Sequence, residues 1–350
     1  MYGYLLSKVK LFSFKRSFQF LSEKDVVPPP RVVVWDCTRR CNLNCEHCGA
    51  KSRTYSDELT TRQVKSVVRR LSDYHVQYFA ATGGEPLLRK DLFEIFRYAK
   101  ECGLKTGVAT NGYMITKNTG NTVAKLFDSV QISLDGPQDI HNRIRRNANS
   151  YQRVIEAIGL LKENNCRQIT LSSVITPSNI DNIEELGDIV EAAGIQVWKI
   201  VTIMPIGNAG DTDELLLDRD RFFQLLRFIK SSKRKLHIEF GENLGYLGKY
   251  DKGVRREPFF CPVGFLACCI GVNGYVRGCP EQLDTVEFRE GNILHADFAE
   301  IWETGFKKYR DKRYLQDKTC RDCRFKNECC GGCWVMKVKD INCTILRYSL

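Results

Sequence analysis

Between residues 32 and 231 a short, apolar, β-branched run is followed six times by a segment of helical period. The runs fall at 32–36, 78–82, 105–110, 129–133, 168–175 and 196–201. The helical segments lie near 60–74, 89–102, 116–126, 150–164, 180–193 and 217–231. A helix between consecutive strands makes them parallel, with right-handed crossovers. The expected fold class is α/β, a partial (βα)6 TIM-like barrel over 31–235. Such barrels build their active sites on the loops at the carboxyl ends of the strands.

The unusual residues sit on those loops. Cys41, Cys45 and Cys48, spaced C-x3-C-x2-C, follow the first strand, and "TGGEP" (82–86) follows the second. "TNG" (110–112), "SLDG" (133–136) and "MPIGNAGD" (204–211) follow the third, fourth and sixth. Five such loops on one rim describe one pocket. After about residue 235 the pattern breaks into short strands, glycines and cysteines, a small C-terminal module over 236–350 whose core is too thin to stand without metal.

Sixteen cysteines are too many for packing filler. The start, "MYGYLLSKVKLFSFKRSFQF", is interrupted by Lys8, Lys10, Lys15 and Arg16, so it does not read as an export signal. No run of 18 apolar residues exists to span a membrane. The expectation is a cytoplasmic protein with reduced thiols, in which metal ligation outweighs disulfides. Residues 1–30 form a basic and apolar extension. Its stripe of Leu11, Phe14, Phe18 and Leu21 is expected to dock on the main domain, with a membrane-surface or partner-docking helix as the alternative. The first cysteine trio is one ligand short of a closed zinc site. Cys37, His47, a distant residue or a non-protein ligand would complete it.

C-x3-C-x2-C after the first strand, with "GGEP" after the second, resembles the radical S-adenosylmethionine (SAM) superfamily over about residues 30–230. The resemblance implies that Cys41, Cys45 and Cys48 are catalytic and bind a [4Fe–4S] cluster, whose open iron is chelated by the amino and carboxylate groups of SAM. Reductive cleavage then yields a 5′-deoxyadenosyl radical that abstracts hydrogen from the substrate. In that role Gly83 and Gly84 allow close approach of a ligand, and Glu85 accepts from the methionine ammonium. Asn111, Ser133 and Asp135 suit the ribose hydroxyls and the carboxylate. Arg145 stands where relatives carry an arginine near that carboxylate, although Arg146 follows where glycine is usual. His47 is expected to pack on adenine.

From Cys261 the spacing C-x12-G-x4-C, then C-x2-C-x5-C-x3-C and a final cysteine, is similar to the SPASM domain, a module with twin auxiliary iron–sulfur clusters. By resemblance, Cys261, Cys268, Cys279 and Cys333 bind auxiliary cluster one, and Cys320, Cys323, Cys329 and Cys343 bind cluster two. Cys268 is taken over Cys269 on the family's C-x6-C spacing. Three clusters would lower the net charge of +11 to roughly +6. The basic residues are also scattered, so nucleic acid is not an expected partner.

The implied function is oxidative modification or crosslinking of a residue in a peptide or protein. An auxiliary cluster would accept the second electron, and Glu281 is a candidate base. The alternatives are a small-molecule oxidase such as a tetrapyrrole side-chain decarboxylase, or a non-enzymatic iron–sulfur carrier or zinc protein. Residues 1–30 are too few for a winged-helix recognition domain, so leader binding falls to a separate protein or the first helix. Flavodoxin or ferredoxin is the expected electron donor.

Overall fold

The computed structural model describes residues 27–50, 57–210, 213–241, 244–256, 259–311, 316–337 and 343–350. The expected helix carrying Leu11, Phe14, Phe18 and Leu21 lies outside the described residues. Seven parallel strands pair in sequence order: β1 Val32–Thr38, β2 Tyr78–Gly83, β3 Lys105–Thr110, β4 Ser129–Ser133, β5 Ile169–Ile175, β6 Val197–Thr202 and β7 His237–Phe240. Among the described residues β7 is an edge and the sheet does not close, so the barrel is partial.

β1 is buried along its whole length, as a parallel strand covered on both faces must be. Its residues alternate between two layers. Val33, Trp35 and Cys37 join the large core, whereas Val32 and Val34 turn inward beside Ala80 and Ala267. The helices α1 Thr61–Asp73, α2 Leu92–Glu101, α3 Gly120–Leu126, α4 Gln138–Arg145, α5 Ser150–Glu163, α6 Ile183–Ala192 and α7 Arg219–Ser231 complete the crossovers. α1 shows why: Thr60 and Gln63 form a reciprocal capping box, and Val64, Val67, Val68 and Leu71 make one buried stripe. Trp35, Phe79, Phe96 and Phe127 fill the layer beneath, with successive ring centroids 5.9, 5.2 and 4.9 Å apart.

α4 was not legible in the sequence. It offers only Ile140 and Ile144 as apolar core residues, and the rest of its buried face is His141 and Arg145.

The cysteine-rich region does not stand apart from the barrel. β8 Ala267–Ile270 pairs parallel with β1, and β9 Tyr275–Arg277 and β10 Gly291–Asn292 continue as antiparallel neighbours. The described strands thus form one sheet in the order β10-β9-β8-β1-β2-β3-β4-β5-β6-β7. β7 carries the parallel sheet past residue 235. Arg70 of α1 donates to the carbonyls of Ile293 and Ala296, and Trp302 donates to Pro28 O at 2.8 Å. The strand that launches the first cysteine loop is therefore flanked by β2 on one side and the auxiliary hairpin on the other.

Candidate active site

The loop after β1 carries Cys41, Cys45 and Cys48 and is fastened by its neighbours' backbones. Gly84 N donates to Thr38 O at 2.7 Å, and Glu85 N to Arg40 O at 2.8 Å. A Cβ on Gly83 would stand 2.4 Å from Thr38 O, and one on Gly84 would stand 2.3 Å from Arg40 O. Both positions require glycine because the cysteine loop passes against them. From the far side, Asn208 N donates to Cys48 O at 3.0 Å and Asn208 Nδ2 to Cys45 O at 2.8 Å. Gly207, at φ +64°, leaves no room for a Cβ, which would lie 2.3 Å from Cys48 O.

Glu85 is fully buried and does not line the cavity. It accepts from Leu87 N at 3.0 Å, Thr110 Oγ1 at 2.7 Å and Asn111 N at 2.7 Å. The expectation of a direct ammonium contact is corrected accordingly: the side chain braces the loops after β2 and β3. Asp135 is likewise buried behind the wall, accepting from Arg145 Nε at 2.6 Å and Val174 N at 3.0 Å. Burial would raise its carboxyl, but Arg145, His47 and His141 outweigh this and hold it at about 2. Asp135 therefore aims Arg145, which lines the cavity and donates to Cys45 Sγ at 3.7 Å.

Asn111, Ser133, Gly83, Gly84 and His47 all line the cavity, as expected. Burial, opposed by Asp135 and assisted by Arg145, lowers His47 to about 4, so its ring is neutral near pH 7. The Cys41 thiol is exposed and accepts from Leu43 N at 3.4 Å.

The same cavity, about 390 Å³, is lined on its other side by Cys261, Cys279, Cys333 and Glu281. Cys279 N donates to Gln282 Oε1 at 3.1 Å. The distal set gathers separately: Cys329 accepts from the Tyr246 N–H and has the thiols of Cys343, Cys320 and Cys330 as neighbours. Cys323 Sγ accepts from Phe325 N at 3.4 Å. Among the described residues no three thiol, imidazole or carboxylate groups are gathered as ligands of a single ion. Three thiols spread along one loop fit the separate corners of a cubane.

The expected placement of Cys268 in the cavity-side set is corrected. β8 runs parallel to β1 with Val33 opposite Cys268 and Val34 opposite Cys269. Strand alternation therefore turns Cys268 to the helix side with Val33, away from the cavity that Val34 lines.

Several lining residues escaped the sequence reading. Asp36 takes the guanidinium of Arg39 and, at 3.2 Å, that of Arg277, joining the two cysteine regions through one buried carboxylate. Lys199 is 3% exposed and lines the cavity. Its signal was a lysine at an inward position of the apolar run "VWKIVT".

Residues 35–193 match the Radical SAM superfamily and residues 261–324 match SPASM, the iron–sulfur cluster-binding domain. The chain is a radical SAM enzyme with a SPASM domain. S-adenosylmethionine and several [4Fe–4S] clusters are the cofactors of this combination. Similar proteins include an AdoMet-dependent heme synthase of Oleidesulfovibrio alaskensis, 25% identical over 89% of this chain and 84% of the relative. A mycofactocin maturase, MftC, of Mycobacterium tuberculosis is 29% identical over 88% of this chain and 79% of the relative. The fold of this radical SAM enzyme is shared with Streptococcus suis SuiB bound to S-adenosylmethionine, at 18% identity and a TM-score of 0.72, over 94% of this chain and 79% of that one. Among the described residues no helix is long and apolar enough to cross a membrane.

Proposed function

We propose that this radical SAM enzyme oxidises or crosslinks a residue within a peptide or protein substrate. The observation that carries the reading is a single cavity lined by both the rim cysteines and Cys261, Cys279 and Cys333. A substrate seated there lies between the two sets. When bound at the rim, SAM and the reduced cluster supply a 5′-deoxyadenosyl radical that removes a hydrogen atom from the substrate.

Cys41, Cys45 and Cys48 would hold a cubane whose remaining position would take the methionine amino and carboxylate groups. Arg145, aimed by Asp135, receives the carboxylate, and Asn111 and Ser133 receive the ribose. The neutral His47 ring packs on adenine. Glu85, Gly83 and Gly84 keep the loop in place, and Glu281 takes the substrate proton. Cys320, Cys323, Cys329 and Cys343 bind the distal cluster. The barrel domain runs from residue 31 through β7, and the cysteine-rich module follows it. The protein works in the reducing cytoplasm and draws electrons from a flavodoxin or ferredoxin.

The maturase among the relatives supports a peptide substrate. A second reading, decarboxylation of a propionate-bearing tetrapyrrole, is favoured by the heme synthases and by Arg145 and Lys199 on the cavity wall. The test is anaerobic turnover of reduced, reconstituted protein with SAM. It is offered in turn each short peptide encoded beside its gene and a propionate-bearing iron porphyrin. Mass spectrometry showing a peptide that has lost hydrogen supports the first reading. A porphyrin that has lost carbon dioxide, with every peptide unchanged, replaces it with the second.

A further inference from the structure

The rim thiols do not have equivalent neighbours. Cys41 Sγ faces neutral donors, Leu43 N at 3.4 Å and Asn111 Nδ2 at 4.0 Å. Cys45, 7% exposed, faces a cation: Arg145 Nη1 donates to its Sγ at 3.7 Å. A charged donor draws more electron density from a sulfur than a neutral one, and hydrogen bonds to the sulfurs help to set a cluster's potential.

The contact is built from both sides. Arg145 ends α4, where Arg146 takes the left-handed cap at φ +52°. One residue earlier, Ile144 O accepts from Glu46 N at 3.0 Å, which pins the last turn of α4 beside Cys45. Asp135 takes Arg145 Nε at 2.6 Å and leaves Nη1 to reach the sulfur. His141 fixes this carboxylate's backbone from behind. Its Nδ1 accepts from Asp135 N at 3.0 Å, so the Nε2 hydrogen goes to Ser150 Oγ at 3.0 Å. Burial, opposed by Asp135, lowers His141 to about 4, so the ring carries no charge at neutral pH. The charged side chains that bear most strongly on Cys45 are thus the Arg145 guanidinium and, with opposite sign, the Asp135 carboxylate.

We propose that Arg145 raises the reduction potential of the rim cluster through Cys45, and that Asp135 moderates this effect. The role is directed at the sulfur and is separate from any contact with the SAM carboxylate. It rests on the reading that Cys41, Cys45 and Cys48 hold the cluster.

The experiment is a redox titration of the reconstituted full chain, followed by electron paramagnetic resonance. SAM is left out, so a carboxylate contact cannot contribute. At each potential the spectrum of a chain with Cys41, Cys45 and Cys48 all replaced by Ala is subtracted, which leaves the rim signal. Asp135→Asn keeps an acceptor for Arg145 Nε and removes the balancing charge. At one fixed potential its ratio of reduced to oxidised rim cluster should rise about tenfold, a shift of about 59 mV for one electron. Arg145→Gln should lower that ratio about tenfold. The double variant carries neither charge and leaves no lone buried ion. It should also lie below the wild type, because the donor to Cys45 is gone. A merely structural role moves neither ratio, or both in one direction. Single variants that shift together or not at all would overturn the proposal. Where a single variant takes up no rim iron, a double variant at the wild-type potential would do so. A wild-type chain with the spectrum and iron content of the triple Ala chain would instead overturn the reading of the rim cysteines.

Discussion

The rim loop and the distal cysteine region hold the same kind of ligand in opposite ways. The rim loop is locked by main-chain hydrogen bonds from the loops after β2 and β6, over glycines that admit no side chain. The distal cysteines sit among four-residue helices, Lys318–Arg321 and Lys326–Cys329, neither of which buries a residue. One site is shaped by the protein before any metal arrives. The other has too little core to be shaped without it.

Removing the distal metal should therefore have the largest effect. With Cys320 and Cys329 both changed to Ala, amide hydrogen exchange over 316–337 and 343–350 should accelerate on the order of a hundredfold or more, because structural metals contribute about 10 kcal/mol to small domains. Exchange in β1 to β6 should stay as it was. Replacing the three rim cysteines by Ala should leave protection in both regions. Equal loss of protection in the two experiments would erase the contrast.

Gly84→Ala breaks the rim from the protein side. Its Cβ would meet Arg40 O at 2.3 Å, so the backbone must move, at about 3 kcal/mol or more. Thermal melting should fall and the four rim irons should not bind, while the auxiliary iron remains. Gly159→Ala is the control. Nothing lies within 4 Å of that position inside α5, and alanine there should stabilise by about 0.5–1 kcal/mol. Normal rim iron in Gly84→Ala would show that the loop tolerates the shift.

What was legible in the sequence follows the same division. β3 and β4 were readable to the residue because each is a short run with a buried apolar centre, β4 alternating Val130 and Ile132 with half-buried polar residues. The loops that build the rim were readable because they sit at strand ends. The direction of a side chain was harder to read. Glu85 and Asp135 looked like cavity groups, yet both turn behind the wall, where main-chain N–H groups and Arg145 satisfy them. Cys268 and Cys269 are neighbours in sequence, and only the pairing of β8 with β1 decides which one faces inward. That pairing joins residues more than 230 positions apart, beyond the reach of local periodicity.

Acid should probe the rim's electrostatic brace next. The Asp135 carboxyl lies at about 2 in the folded protein, below its ordinary range near 3.8. As pH falls, the unfolded chain takes up the proton first, so the contribution is complete above about pH 5 and is lost as pH falls toward 2. It amounts to about 2 kcal/mol. The measurement is urea unfolding of iron-free protein between pH 6 and 3, with Asp135→Asn beside it. With His47 and His141, whose rings Asp135 also holds up, changed to Gln in both proteins, the form that keeps Asp135 should lose stability over this range more steeply than the Asn variant. Parallel slopes would remove Asp135 from the brace.

The smallest effect decides what Glu85 does. A carboxylate that contacts the methionine ammonium and one that braces two loops both suffer on change to Gln, but they suffer differently. Three donors point at Glu85, and the amide can offer only one acceptor atom to them. One donor must lose its partner, and a buried unsatisfied donor costs about 1–2 kcal/mol. A brace therefore predicts that Glu85→Gln lowers the stability of iron-free protein by that amount. Folded, loaded variant would then bind SAM within about threefold of wild type, because no charge has left the cavity wall. A direct contact predicts the reverse: unchanged stability, with affinity reduced tenfold or more by the loss of an ionic hydrogen bond. Unfolding of the iron-free variant and equilibrium binding of SAM to the loaded one separate the two. Weak binding with full stability would return Glu85 to the cavity and undo the contrast between a prebuilt rim and a metal-built distal site at the residue where it is sharpest.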